Sequence, residues 1–183
     1  MKLSEKNLKI GELEKKNTIL NNAEKFNDKP KSIVYLKNGF AVTYSQTLSH
    51  LGVLKSFSYE GYIINDKLIR DPINRYVIHM DCDVNYDDKL NYIKSIYIID
   101  FIADRSIRDQ GYGSIIMNCL IEYAQRLNVE YICGGLSFVD IGIDYGETDN
   151  EKINDRERLY HFYSKHGFVI NGERIERTMI SKS

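Results

Sequence analysis

The sequence of 183 residues lacks the features of several large protein classes. No apolar run approaches the roughly 20 residues that a membrane-spanning helix needs, and the first residues are followed by charges rather than by the apolar core of a signal peptide. Because 25 Lys and Arg are balanced by 26 Asp and Glu, no global basic field draws the chain to nucleic acid or to an anionic membrane. We therefore predict a cytoplasmic protein with neither as a partner.

Cysteine and the commoner catalytic motifs are also scarce. Cys82, Cys119 and Cys133 are odd in number and fall within a predicted helix or predicted strands, which favours reduced thiols over a disulfide framework. No Cys/His cluster has zinc spacing, and no nucleophile elbow G-x-S-x-G occurs. The phosphate loop G-x-x-x-x-G-K-[ST] and the dinucleotide motif G-x-G-x-x-G are absent as well.

What the sequence does contain is a buried-strand pattern that turns through glycines into an amphipathic helix. Residues 94–103 are rich in isoleucine and aromatics, and from Ser114 apolar residues recur at helical spacing. Arg108, Gly111 and Gly113 lie between the two elements. Free amides at the helix start, glycines that permit close approach and an arginine together predict an anion cradle. The rest of this cradle is formed by Asp109, Gln110, Tyr112 and Ser114.

A second motif follows near the C-terminus. Residues 159–168 indicate the last turns of a helix, closed by Gly167 after its C-cap, and then a strand that opens with Phe168. Phe162 and Tyr163 lie on that helix.

The two motifs together resemble those of the GNAT superfamily of N-acetyltransferases. Arg108, Gly111 and Gly113 meet its consensus [RQ]-x-x-G-x-[GA], and residues 162–168 meet [FL]-Y-x-x-x-G-F in the same order along the chain. The resemblance implies an α/β fold over residues 31–183, with a mixed, mostly antiparallel sheet of about seven strands and flanking helices. It also implies an enzyme that transfers the acetyl group of acetyl-CoA to a primary amine by direct attack in a ternary complex. The acetyl-CoA site would comprise Phe101, Ile102, Ala103, Arg108, Asp109, Gln110, Gly111, Tyr112, Gly113 and Ser114.

The same resemblance suggests catalytic roles. Tyr163 matches the family tyrosine that protonates the leaving thiolate, and a backbone amide near residues 101–103 would stabilise the oxyanion. Asp100 is the candidate base or substrate contact, although the preceding position, often acidic in the family, is Ile99 here. A non-catalytic GNAT-like module that binds CoA or a protein partner is the alternative. The acceptor, a small molecule or a peptide, stays open.

The remaining segments give coarser predictions. Residues 1–30 form a charged extension, which is either a helix that docks or pairs with a partner, or a solvated terminus. Strands are predicted at 32–36, 40–45, 57–64, 76–84, 131–138, 168–171 and 174–180, with hairpin turns at Asn38-Gly39 and Asn171-Gly172. A turn is predicted near Asp66, Asp71 and Pro72, and a helix or loop at 47–55. An acidic connection over 139–151 is either solvated or attracts a cationic amine. The next helix would begin at Asn154 or Asp155, and sheet edges leave a homodimer open.

One alternative site needs weighing. His79, Asp81 and Asp83 alternate along a predicted strand and so share a face, which could hold a divalent metal ion. Acetyl transfer of the GNAT type needs no metal, and carboxylates on an exposed sheet face are commoner than metal sites. We therefore predict no metal.

Overall fold

A computed structural model describes residues 31–37, 39–63, 76–89, 92–136 and 149–179. The predicted N-terminal extension, the turn near Pro72 and the acidic connection up to residue 148 lie outside the described residues. Neither described helix combines the length and the apolar character that a membrane crossing requires.

The described chain forms one mixed sheet with two α-helices, which confirms the predicted α/β class. The strand count is eight rather than about seven, and the predicted C-terminal hairpin is present as β7 paired with β8. The strands lie in the spatial order β1-β2-β3-β4-β5-β6-β8-β7. In chain order the elements are β1 Lys31–Lys37, β2 Phe40–Leu48, β3 Leu54–Ile63, β4 Ile78–Tyr86, β5 Ile93–Ala103, a 3₁₀ turn Arg105–Ile107, α1 Tyr112–Arg126, β6 Tyr131–Gly135, α2 Asp149–Lys165, β7 Val169–Asn171 and β8 Arg174–Thr178.

The first five strands form an antiparallel meander. Residues 47–55 were expected as a helix or loop. The loop alternative holds for the tight turn at 49–53, while the two ends of the segment belong to β2, which runs to Leu48, and to β3, which begins at Leu54. Ser49 holds this turn, since its side-chain oxygen accepts the amides of Leu51 and Val53. Short, polar and self-satisfied turns of this kind keep consecutive strands adjacent in the sheet.

The order of the sheet changes at β5, where the chain crosses through α1 to the parallel strand β6. Pairing of β5 with β6 ends at Ile98 and Gly134, although β5 continues to Ala103. A Cβ on Gly134 would lie 3.1 Å from the carbonyl oxygen of Ile98, so glycine allows this close approach without a shift of the neighbouring strand. Beyond it, no strand among the described residues pairs with the β6-facing edge of β5.

One continuous core lies between the sheet and the helices. Helix α1 packs on β3 and β4 through a fully buried stripe at helical spacing, as its amphipathic sequence predicts. The stripe consists of Ile116, Met117, Leu120, Ile121 and Ala124. Helix α2 contacts β7 and begins at Asp149, five residues before the predicted Asn154. Residues 149–151, which were predicted to end the acidic connection, therefore belong to α2.

Candidate functional site

The N-terminus of α1, the end of β5 and one face of α2 enclose a cavity of about 400 Å³. Nine of the ten residues predicted for the acetyl-CoA site line it: Phe101, Ile102, Ala103, Arg108, Asp109, Gly111, Tyr112, Gly113 and Ser114. Gln110 does not, because its side-chain amide turns back to the carbonyl oxygen of Ser106 at 3.0 Å. The lining also includes Ile78, Ile107, Arg158, Leu159, His161, Phe162 and Lys165.

The cradle begins with a turn held by Asp104. Its carboxylate accepts the amide of Ser106 at 2.8 Å and the hydroxyl at 2.6 Å, and these hydrogen bonds lower the pKa of Asp104. Asp109 and Gly111 then adopt left-handed backbone conformations, with φ of 61° and 82°. This double reversal aims the start of α1 into the cavity.

Two backbone amides at the start of α1 are available to a ligand. The amide of Ser114 donates to the carbonyl oxygen of Gly111 at 3.1 Å. The amides of Tyr112 and Gly113 have no backbone acceptor among the described residues. They carry the positive end of the helix dipole, which suits a phosphate group.

The two sequence motifs meet inside this cavity. A Cβ on Gly113 would lie 3.4 Å from Cε2 of Phe162 and 3.8 Å from Cζ of Phe101. The rings of Phe101 and Phe162 are themselves in contact, with centroids 5.7 Å apart. The glycine of the first motif therefore packs against the phenylalanine of the second.

The described lining is positively charged although the whole chain is not. Arg108 lies on the cradle, whereas Arg158 and Lys165 lie on α2. Asp109 is the one carboxylate among the described lining residues, so they carry a formal excess of two positive charges. The Asp109 carboxylate lies 3.8 Å from the Arg158 guanidinium, in an exposed pair that bridges the cradle and α2.

Tyr163 does not line the cavity in this structure. Its side chain is 3% exposed, and its ring packs edge-on against Phe162 and Phe168. Its carbonyl oxygen accepts the amides of His166 and Phe168, both at 3.1 Å, which closes α2 as the second motif predicted.

A side chain from β8 secures the same helix end. Arg177 donates a hydrogen bond to the carbonyl oxygen of His166, and a Cβ on Gly167 would lie 2.7 Å from the Arg177 guanidinium. The imidazole of His166 contacts the carbonyl oxygen of Phe162 at 2.8 Å. Burial lowers the pKa of this imidazole, so the ring is neutral near pH 7 and donates from Nδ1. His166 therefore contacts both the carbonyl oxygen and the ring of Phe162, whose ring also contacts Phe101.

Asp100 lies outside the cavity, on the sheet face opposite α1. It pairs in register with Asp81, while Cys82 pairs with Ile98, so that Ile99 forms a bulge that is 53% exposed. The bulge is the physical reason why Asp100 faces away from the cavity.

The three residues weighed as a metal site do not converge. Nε2 of His79 lies 2.8 Å from the Asp81 carboxylate, and Asp83 takes no part in this contact. The hydrogen bond that the Asp81 carboxylate accepts, followed by the charges of Asp81, Glu60 and Asp100, raises the pKa of His79 against the effect of burial. No group of three or more His, Cys, Asp or Glu side chains suited to a metal occurs in the part of the chain described here.

No family model and no curated protein sequence matches the chain. Several solved structures are similar to it. A GNAT-family acetyltransferase from Staphylococcus aureus Mu50 is 14% identical and aligns over 68% of both chains with a TM-score of 0.43. Arabidopsis thaliana Naa50, solved with the bisubstrate analogue CoA-Ac-MVNAL, is 17% identical over 66% of this chain and 72% of its own, with a TM-score of 0.46. A GNAT-family acetyltransferase from Streptococcus pneumoniae is 11% identical over 69% and 68%, with a TM-score of 0.47. At sequence identities this low the similarity extends only to the overall fold, so the function has to be inferred from the residues of the site.

Proposed function

We propose that the chain is a GNAT-type enzyme that transfers the acetyl group of acetyl-CoA to a primary amine. The observation that carries this proposal is the contact between the two motifs. Gly113 at the start of α1 lies next to Phe162 of α2 in the lining of a cationic cavity. Two motifs that matched by chance would not be expected to line the same cavity.

The residues present fit an acyl-CoA substrate. The amides of Tyr112 and Gly113, together with Arg108, would hold the pyrophosphate. The thioester arm would lie along the unpaired edge of β5, where the divergence of β6 leaves room. An amide of residues 101–103 would then donate to the carbonyl oxygen as it gains negative charge.

Proton transfer is assigned to two side chains. Tyr163 follows Phe162 directly, and in our proposal its phenol protonates the leaving thiolate. Asp100 would meet the amine from the opposite face, either as its base or as a contact for its positive charge. Asp81, which pairs with Asp100, adds negative charge on that face.

Calorimetric titration with acetyl-CoA tests the coenzyme site. Gly113→Ala places a methyl group at ordinary contact distance from Phe162, so binding should persist. Gly113→Val adds carbons that collide with the ring, so binding should be lost while circular dichroism stays unchanged. Equal binding by both variants, or no binding by the unmodified protein, would refute the site.

Release of free thiol from acetyl-CoA tests turnover. The acceptor panel should include a polyamine, an aminoglycoside, a lysine side chain and peptide N-termini. In the presence of an active acceptor, Tyr163→Phe should lower kcat and alter its dependence on pH, with little change in coenzyme affinity. Binding without turnover for every acceptor would instead identify a coenzyme-binding module without catalysis.

A further inference from the structure

The sheet face opposite α1 carries a set of ionisable side chains on the side from which the amine would arrive. Asp100 of β5 pairs in register with Asp81 of β4, and His79 lies two residues before Asp81 on the same face. Nε2 of His79 lies 2.8 Å from the Asp81 carboxylate. The imidazole, Asp81 and Asp100 therefore follow one another across two neighbouring strands.

The surroundings of His79 hold its ring in one orientation. The side chain is 16% exposed, and the ring stacks on that of Tyr76 with centroids 4.8 Å apart. Nδ1 is buried and has no hydrogen-bond partner among the described residues, so the contact of Nε2 with Asp81 is the one that orients the imidazole. From β3, Glu60 pairs in register with His79, and its carboxylate accepts the hydroxyl of Tyr62.

Three carboxylates thus act on this imidazole, and they come from three strands. They are those of Glu60 on β3, Asp81 on the same strand and Asp100 on β5. The hydrogen bond to Asp81 is the largest cause of the raised pKa of His79, and a protonated ring cancels the charge of Asp81. Like charges directly opposite each other on neighbouring strands are destabilising, and two carboxylates that share a site retain a proton. His79 therefore removes the reason for Asp100 to hold one.

We propose that His79, acting through Asp81, keeps Asp100 ionised for the incoming amine and is thereby a positioning residue of the acetyl transfer. This inference rests on the proposed function, in which Asp100 meets the amine as its base or as a contact for its positive charge. Either role needs the carboxylate rather than the carboxylic acid.

The test compares the pH dependence of kcat/KM in four proteins, at saturating acetyl-CoA and with the acceptor of the panel above that releases thiol fastest. They are the unmodified chain, His79→Gln, Asp81→Asn and the control Asp83→Asn. Asp83 lies on the same face but pairs with Tyr97 and takes no part in the His79 contact, so the two aspartate variants each remove one charge from that face. Because the acceptor is the same throughout, its own titration cancels in the comparison.

The two variants of the pair should move the acid limb of the profile in opposite directions. His79→Gln leaves the charge of Asp81 uncompensated, so the limb should move to higher pH by about one unit. Asp81→Asn should move it to lower pH, because Asp100 then lies near the imidazolium without a second carboxylate between them. Unfolding in acid would raise the limb, so a lowered limb in Asp81→Asn does not come from lost stability. Asp83→Asn should keep the limb of the unmodified chain.

A second measurement needs no acceptor. In NMR titrations of the full chain, the pKa of His79 should be lower in Asp81→Asn and, by a smaller amount, in Asp100→Asn, whereas Asp83→Asn should leave it unchanged. A His79 pKa that neither of the first two variants lowers would overturn the coupling.

The kinetic outcomes separate the inference from the proposed function. Turnover with an acid limb that stays in place in His79→Gln and Asp81→Asn, or moves the same way in both, would overturn the positioning role and leave the proposed function standing. Absence of thiol release by the unmodified chain with every acceptor would overturn the proposed function and the inference with it.

Discussion

Gly61, in the middle of β3, offers a sharp test of how the core supports the cavity. A Cβ at this position would lie 2.6 Å from Cζ of Phe40 and 3.2 Å from Cδ1 of Ile116. Phe40 is 1% exposed and stacks on Tyr112, with ring centroids 4.4 Å apart. Gly61→Ala must therefore displace the ring of Phe40, which contacts Tyr112 in the lining of the cavity.

The cost of this substitution can be estimated from its parts. The backbone of Gly61 is not left-handed, so alanine adopts it and gains about 0.4–1 kcal/mol from the unfolded chain. Overpacking of a filled core costs about 1–3 kcal/mol. We expect a net loss of about 1–2 kcal/mol in the free energy of unfolding, which is about 2–8 °C in Tm for a chain of this size.

Phe40→Leu in the same chain separates a steric clash from a general weakness of β3. Alone, it should cost less than the roughly 3–5 kcal/mol of a Phe→Ala change. Combined with Gly61→Ala, the shorter side chain makes room for the new methyl group, so the double variant should be more stable than the summed costs by about 1–2 kcal/mol. Urea unfolding of the four proteins measures this coupling. Costs that add to within about 0.5 kcal/mol would refute the reasoning.

Two further predictions concern other parts of the molecule. Gly167→Ala should reduce the free energy of unfolding by about 1–3 kcal/mol more than Gly172→Ala. Both glycines have positive φ, but only at Gly167 does the new Cβ displace the hydrogen-bonded guanidinium of Arg177. Equal losses of unfolding free energy in urea would contradict this. Asp81→Asn should destabilise the protein more at pH 5.5 than at pH 8. The pKa of His79 is raised in the folded protein, so its contribution to stability is full below the unfolded pKa of about 6.5 and is lost as the pH rises through the folded pKa. A loss of unfolding free energy that does not depend on pH would show that the His79–Asp81 pair is not the cause.

The elements that the sequence predicts best carry strong local signals. Asn38-Gly39 and Asn171-Gly172 each mark a hairpin, and the isoleucine-rich run at 94–103 forms β5 almost to the residue. The start of α2 was wrong because residues 149–155 offer four candidate capping residues and little apolar periodicity. Local chemistry gives no means of choosing among them.

The candidate site also has a part that the sequence predicts and a part that it does not. The cradle is local, since strand, glycines and helix follow one another within about 20 residues of sequence, and most of its predicted members do line one cavity. A stripe of α2 side chains that lines the cavity, formed by Arg158, His161, Phe162 and Lys165, was missed as a group because its approach to the cradle depends on the tertiary structure. Its i, i+3, i+4, i+7 spacing was the available signal, and it could have shown that Arg158, Phe162 and Lys165 share a face. It could not show what they face.

Charge and shape together favour a small anionic ligand over an extended polyanion. The whole chain has a net charge of −1, yet the described residues of one cavity carry an excess of two positive charges. A field this local acts over about the Debye length of 8 Å at physiological ionic strength, so it acts mainly on a ligand inside the cavity. An acyl-CoA, with its phosphates at one end and its thioester at the other, matches this arrangement, because the charges are at the cavity and the unpaired edge of β5 leads away from them.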